Sequence, residues 1–83
     1  MKRVKRRNNV DICAKILEIS NLGAKKTWIV YRANLNFRLV NDYLDYLIGV
    51  GLLKYNKENQ NHYQTTEQGK AFLEEYKQMT NLL

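Results

Sequence analysis

The feature that most constrains this chain is a change of hydrophobic period at Gly51. Before it, apolar residues recur every three to four positions, the repeat of half-buried helices. After it, Leu52-Leu53-Lys54-Tyr55 and His62-Tyr63-Gln64-Thr65 flank a polar stretch from Asn56 to Asn61, which predicts a β-hairpin with a short polar tip. Thr66 and Glu67 then open a last helix running to the C-terminus.

Upstream, Asn8 or Asn9 can cap a first helix to about Leu22, with Ile12, Cys13, Ile16 and Leu17 as its inward stripe and Asn21 and Gly23 at its end. Thr27 is the expected cap of a second helix over Trp28 to Ala33, with Ile29, Val30 and Ala33 inward. Asn34-Leu35-Asn36 breaks it. Asn36 caps a third helix to about Val50, whose stripe is Phe37, Val40, Leu44, Leu47 and Ile48. Three helices, a hairpin and a helix make a mostly helical α+β fold and describe a winged helix-turn-helix. A plain helical bundle with a hairpin appendage is the competing topology. The expected layout is a flexible basic arm over residues 1–8, the winged domain over 9–66 and a C-terminal dimerisation helix over 67–83.

Charge narrows the partner. Residues 1–38 hold ten of the fourteen Lys and Arg against Asp11 and Glu18, while residues 39–83 hold four against six acids. A basic half on a small domain attracts a polyanion: DNA, RNA or an anionic surface. No apolar run approaches the ~18–20 residues of a bilayer span. The polar start, with Lys2, Arg3, Lys5, Arg6 and Arg7, does not read as a secretory signal. One cysteine, Cys13, allows no internal disulfide and reads as a small core residue. A cytoplasmic protein is expected.

Gly23-Ala-Lys-Lys-Thr-Trp-Ile-Val-Tyr-Arg-Ala-Asn-Leu-Asn-Phe37 resembles a segment of a family of small archaeal winged-helix DNA-binding proteins. Tyr43-Leu44, Leu47, Gly51-Leu52-Leu53 and Thr66-Glu-Gln-Gly69-Lys-Ala-Phe72-Leu73 fit the same family, so the resemblance covers residues 9–83. The first segment is fairly specific; Thr-Glu-x-Gly is shared by many winged helices. Trp28 departs from the polar or basic residue expected there. The resemblance implies a winged helix with the third helix as recognition helix and dimerisation through the last helix as an antiparallel coiled coil. It also implies a role as transcription regulator or chromatin-type nucleoid protein.

Four groups of residues are candidates for contact with DNA. On the third helix, Arg38 and Asn41 stand three apart, and Arg and Asn suit bidentate pairing with guanine and adenine. Asp42 and Asp45 share that face and limit insertion to the first two turns. Asn36 lies at its start. Lys25, Lys26 and Thr27 sit where free N–H groups at a helix start favour a phosphate, and Arg32 one turn on either adds a contact or braces the third helix. The wing tip offers Lys57, Asn59 and Asn61. The arm, Lys2, Arg3, Lys5, Arg6 and Arg7, can track a groove. Each group has an ordinary alternative as a solvated surface, loop, wing tip or tail.

Phe72, Tyr76, Met79 and Leu83 are spaced 4, 3 and 4, a heptad seam for a homodimer, with Leu73 turned into the core. Leu82 and Leu83 extend beyond what a small core covers. The six tyrosines read as core and rim rather than as stacking platforms. One histidine and one distant cysteine make no zinc site, and no convergent acid, base or nucleophile set or phosphate-cradling loop is legible. The expectation is a non-enzyme without cofactor, metal, small-molecule ligand or membrane contact that binds double-stranded DNA as a homodimer. A protein-interaction module on the same scaffold is the alternative.

Overall fold

A computed structural model of the chain describes residues 9–58 and 61–82. The element order is α1 (Asn9–Ile19), α2 (Lys26–Ala33), α3 (Phe37–Gly49), β1 (Leu53–Asn56), β2 (His62–Thr65) and α4 (Glu67–Leu82). This is the expected winged helix-turn-helix order. Ile16, Leu17, Ile29, Val40, Leu44, Leu47 and Leu53 are fully or almost fully buried and fill the space between the three helices and the hairpin. Leu73 of α4 joins them as expected, and Cys13 is buried and free.

The helix ends follow from local chemistry. Asn36 caps α3, its Oδ1 accepting from the Leu39 N–H at 2.7 Å, as the sequence predicts. Asn34 closes α2 in the left-handed region at φ 58, and the Leu35 N–H reaches back to the Val30 carbonyl at 3.2 Å. The second helix begins earlier than expected. Its N-cap is Lys25, which makes no side-chain capping bond, so Thr27 lies within the first turn instead of capping it. The cause lies one residue upstream. Ala24 pairs with Tyr63 as a single antiparallel bridge, donating to the Tyr63 carbonyl at 2.9 Å and accepting from its N–H at 2.8 Å. That bridge holds the chain extended up to Lys25.

The first helix stops at Ile19, short of Leu22. The Thr65 hydroxyl donates to the Leu17 carbonyl at 2.6 Å, and the Thr65 N–H donates to the Ser20 carbonyl at 3.1 Å. Carbonyls that a longer helix would bond internally are taken by β2. The next residue, Thr66, ties two further helices. Its hydroxyl donates to the Gly51 carbonyl at 2.7 Å and accepts from the Gly69 N–H at 3.0 Å, which caps α4. Gly69 is required there: a Cβ would stand 2.2 Å from the Leu52 carbonyl oxygen and 2.5 Å from Thr65 Cγ2. The Thr-Glu-x-Gly motif is therefore a clasp between α4 and the end of α3.

The hairpin is antiparallel, with Leu53 opposite Thr65 and Tyr55 opposite Tyr63. It starts at Leu53 rather than Leu52, because Leu52 donates to the Leu47 carbonyl and accepts from Thr66 outside the ladder.

Two residues placed on the inward stripe of α3 turn outward. Phe37 is 50% exposed and Ile48 is exposed as well. At about 100° per residue, Val40, Leu44 and Leu47 define the buried line, and Phe37 and Ile48 stand about 50° and 75° to one side of it. Phe37 is also the first helical residue, a turn ahead of the core contact made by Val40.

Candidate nucleic-acid interface

The N-terminus of α2 opens onto the wing. Lys25, Lys26 and Thr27 line one wall of a shallow notch, and Tyr55, Asn61 and Tyr63 line the other. No side chain of the described residues caps this helix end, so its first N–H groups point outward beside two lysines. That combination suits an anion such as a backbone phosphate. Asn61 leaves the wing turn at φ 58, a conformation asparagine tolerates well. Tyr55 and Tyr63 pack ring to ring at 4.9 Å on the wing. Burial pushes the Tyr63 phenol up, and the nearby Tyr55 and Asp45 push it further.

Helix α3 has an exposed side of its own. Going round the helix at about 100° per residue, Phe37, Asn41, Asp45 and Arg38 follow one another over a single quadrant. Arg38 is exposed and Asn41 half-buried. Asn36 keeps its carboxamide oxygen on the cap and presents its NH₂. Asp42 instead borders a separate groove between α1, α3 and α4.

Arg32 is not part of the notch. Its guanidinium carbon lies 5.5 Å from the centroid of the Trp28 ring, and the pair lines a depression with Lys15, Glu18 and Ile19 on the side of α2 that faces α1. Trp28, 49% exposed, also meets Tyr31 at 5.7 Å. Arg32 thus packs over Trp28. Lys57 is exposed in the wing turn. The arm residues Lys2, Arg3, Lys5, Arg6 and Arg7, and Asn59 and Leu83, lie outside the described residues.

The sequence reading missed Tyr55 and Tyr63 as walls of the notch and Phe37 as part of the exposed face. The signal for the tyrosines was present. Residues 53 and 55 share a strand face, but the strand runs past the core, so the second leaves it. The pairing of Trp28 with Arg32 was also readable from their i, i+4 spacing.

On α4, Phe72 is half-buried and borders the groove, while Met79 and Leu82 are 64% and 85% exposed. Tyr76 turns toward α1, where its hydroxyl donates to Asp11 Oδ1 at 2.5 Å. The groove measures about 490 Å³ and is mainly apolar, with Val10, Leu39, Tyr46 and Leu52 among its walls. Among the described residues, no group of His, Cys, Asp or Glu could hold a metal ion, and no helix is long and apolar enough to cross a membrane.

A short helix, a tight turn, a second helix with an exposed side and a hairpin bridged to the residue just ahead of the N-cap of the first of them define a winged helix-turn-helix. The chain belongs to the winged helix-turn-helix family, which it matches over residues 6–83. It is 39% identical over 66 residues to an uncharacterized protein of the archaeon Methanocaldococcus jannaschii, covering 78% of this chain and 65% of that relative, just under two thirds. Its structure is similar to the crystal structure of Sso10a-2, a DNA-binding protein from Sulfolobus solfataricus, with a TM-score of 0.82 at 28% identity over 92% of this chain and 81% of that one.

Proposed function

We propose that this protein binds double-stranded DNA as a homodimer and acts by binding rather than catalysis, as a transcription regulator or nucleoid-type protein. The observation that carries the reading is the notch, where an uncapped helix start and two lysines meet the wing. In this reading α3 enters the major groove by its first two turns, with Arg38 and Asn41 at base edges. Lys25, Lys26 and Thr27 hold a phosphate on one side. The wing, through Lys57, Asn59 and Asn61, and the basic arm lie on backbone or minor groove. The likeness to a protein described as DNA-binding and the excess of positive charge in residues 1–38 support it.

Exposed Met79 supports an α4 contact between two copies near the C-terminal end of the helix, while Phe72 and Tyr76 pack largely on the chain's own core. The apolar groove between α1, α3 and α4 favours a second reading, a protein-interaction module.

Fluorescence anisotropy on a random 30-base-pair duplex across a salt series tests the first reading, beside analytical ultracentrifugation of the free protein. Binding that weakens steeply with salt, by ~0.9 in log–log slope per phosphate neutralised, is expected. A folded sample that binds no duplex at low salt ends the DNA reading and leaves the groove as the interaction surface. A monomer at all concentrations removes the dimer.

A further inference from the structure

We infer that Phe37 is a base-reading residue that packs on the C5-methyl group of thymine. The inference rests on the DNA-binding reading and adds to it the kind of base that one side chain selects. Three observations lead to it. Phe37 is the first residue of α3, so it stands at the end of the helix that would approach base edges first. Half of its surface is open to solvent although the sequence pattern assigns it to the core. It also lies on the side of the helix that carries Asn41 and Arg38.

An isolated exposed phenylalanine is ordinary on a protein surface, and its exposure alone would mean little. Its neighbours give it meaning. Arg38 and Asn41 offer only hydrogen-bonding groups to a base edge, so Phe37 is the apolar member of that surface over the first two turns. The major groove has one apolar feature to match it, the thymine methyl. The other bases lack that methyl, so a phenyl ring set against their edges covers less apolar surface. Phe37 therefore favours thymine at one position by apolar packing on its methyl.

The test begins with selection of bound duplexes from a random-sequence pool by the whole chain. Each thymine of the selected duplex is then replaced singly by deoxyuridine, which keeps every hydrogen-bonding atom and removes only the methyl. Affinities are read by anisotropy for the wild type, Phe37→Ala and Phe37→Leu. Wild type should lose about four-fold at one thymine, the effect of one buried methyl. Phe37→Ala should bind thymine and uracil equally at that position, and Phe37→Leu should keep part of the difference. Thermal melting of both variants checks that the fold is intact, as a half-exposed residue allows. Uracil tolerated at every position by the wild type overturns the inference, and so does a selected site without thymine or a uracil penalty unchanged in Phe37→Ala. A wild type that binds no duplex overturns the parent reading itself, which separates the two failures.

Discussion

Replacing Gly69 by alanine puts a methyl group where the backbone of the α3–β1 connection already stands. The new Cβ would lie 2.2 Å from the Leu52 carbonyl oxygen and 2.5 Å from Thr65 Cγ2. An ordinary contact needs about 3.4 Å or more, so α4 must back away by roughly 1 Å. Overpacking of this kind costs about 1–3 kcal/mol. The same movement stretches the 3.0 Å bond from the Thr66 N–H to the Leu52 carbonyl and the 3.0 Å bond from the Gly69 N–H to the Thr66 hydroxyl, each contributing about 1 kcal/mol. Against this, alanine is favoured over glycine inside a helix by about 1 kcal/mol. The balance is a loss of about 2–4 kcal/mol. A domain of this size should then melt roughly 8–30 °C lower. Calorimetry or circular-dichroism melting on both proteins reads the difference. A Gly69→Ala protein that melts at or above the wild-type temperature would refute the close approach, since only the helix-propensity gain would remain.

Three further outcomes follow from the site and its supports. Lys25→Ala with Lys26→Ala should lower the salt slope of duplex binding by about one to two units, at ~0.9 per phosphate contact, while sequence preference stays the same; an unchanged slope would place the phosphates elsewhere. Arg38→Ala should weaken binding to a selected duplex by about 1–3 kcal/mol and relax the base preference at one position; an isotherm that matches the wild type would remove α3 from the base edges. The hydrogen bond to Asp11 raises the Tyr76 phenol, with burial and the charges of Asp11 and Glu18 adding to it. A raised folded-state value means that the stabilisation is fully present below the unfolded phenol value and is lost as pH rises through the folded one. Stability should therefore fall at alkaline pH, and Tyr76→Phe should flatten that limb of the melting profile. Identical alkaline limbs would dissociate the phenol from folding.

The helix order, the Asn36 cap and the hairpin were legible because each leaves a local mark: a period, an amide before a stripe, a polar gap between strands. The Ala24–Tyr63 bridge leaves none, because a single pair of extended residues has no period, and missing it displaced the start of α2. Phe37 misled for a different reason. Three residues before Val40 it satisfies the helical repeat, but the repeat does not say where along a helix the core ends. Gly69 was legible as part of a motif and not as a steric necessity, since the carbonyl it admits belongs to Leu52, seventeen positions upstream. The notch likewise joins residues some thirty positions apart, which only the folded chain brings opposite one another.

The bridge between Ala24 and Tyr63 bears on how the protein grips. Because β2 is bonded to the residue just ahead of Lys25, the wing and the start of α2 share one backbone frame, like two jaws cut from one piece. In the proposed DNA-bound state, a phosphate seated between Lys26 and Tyr55 would meet two walls whose spacing the fold already fixes. Such a preset spacing would cost little ordering entropy on binding.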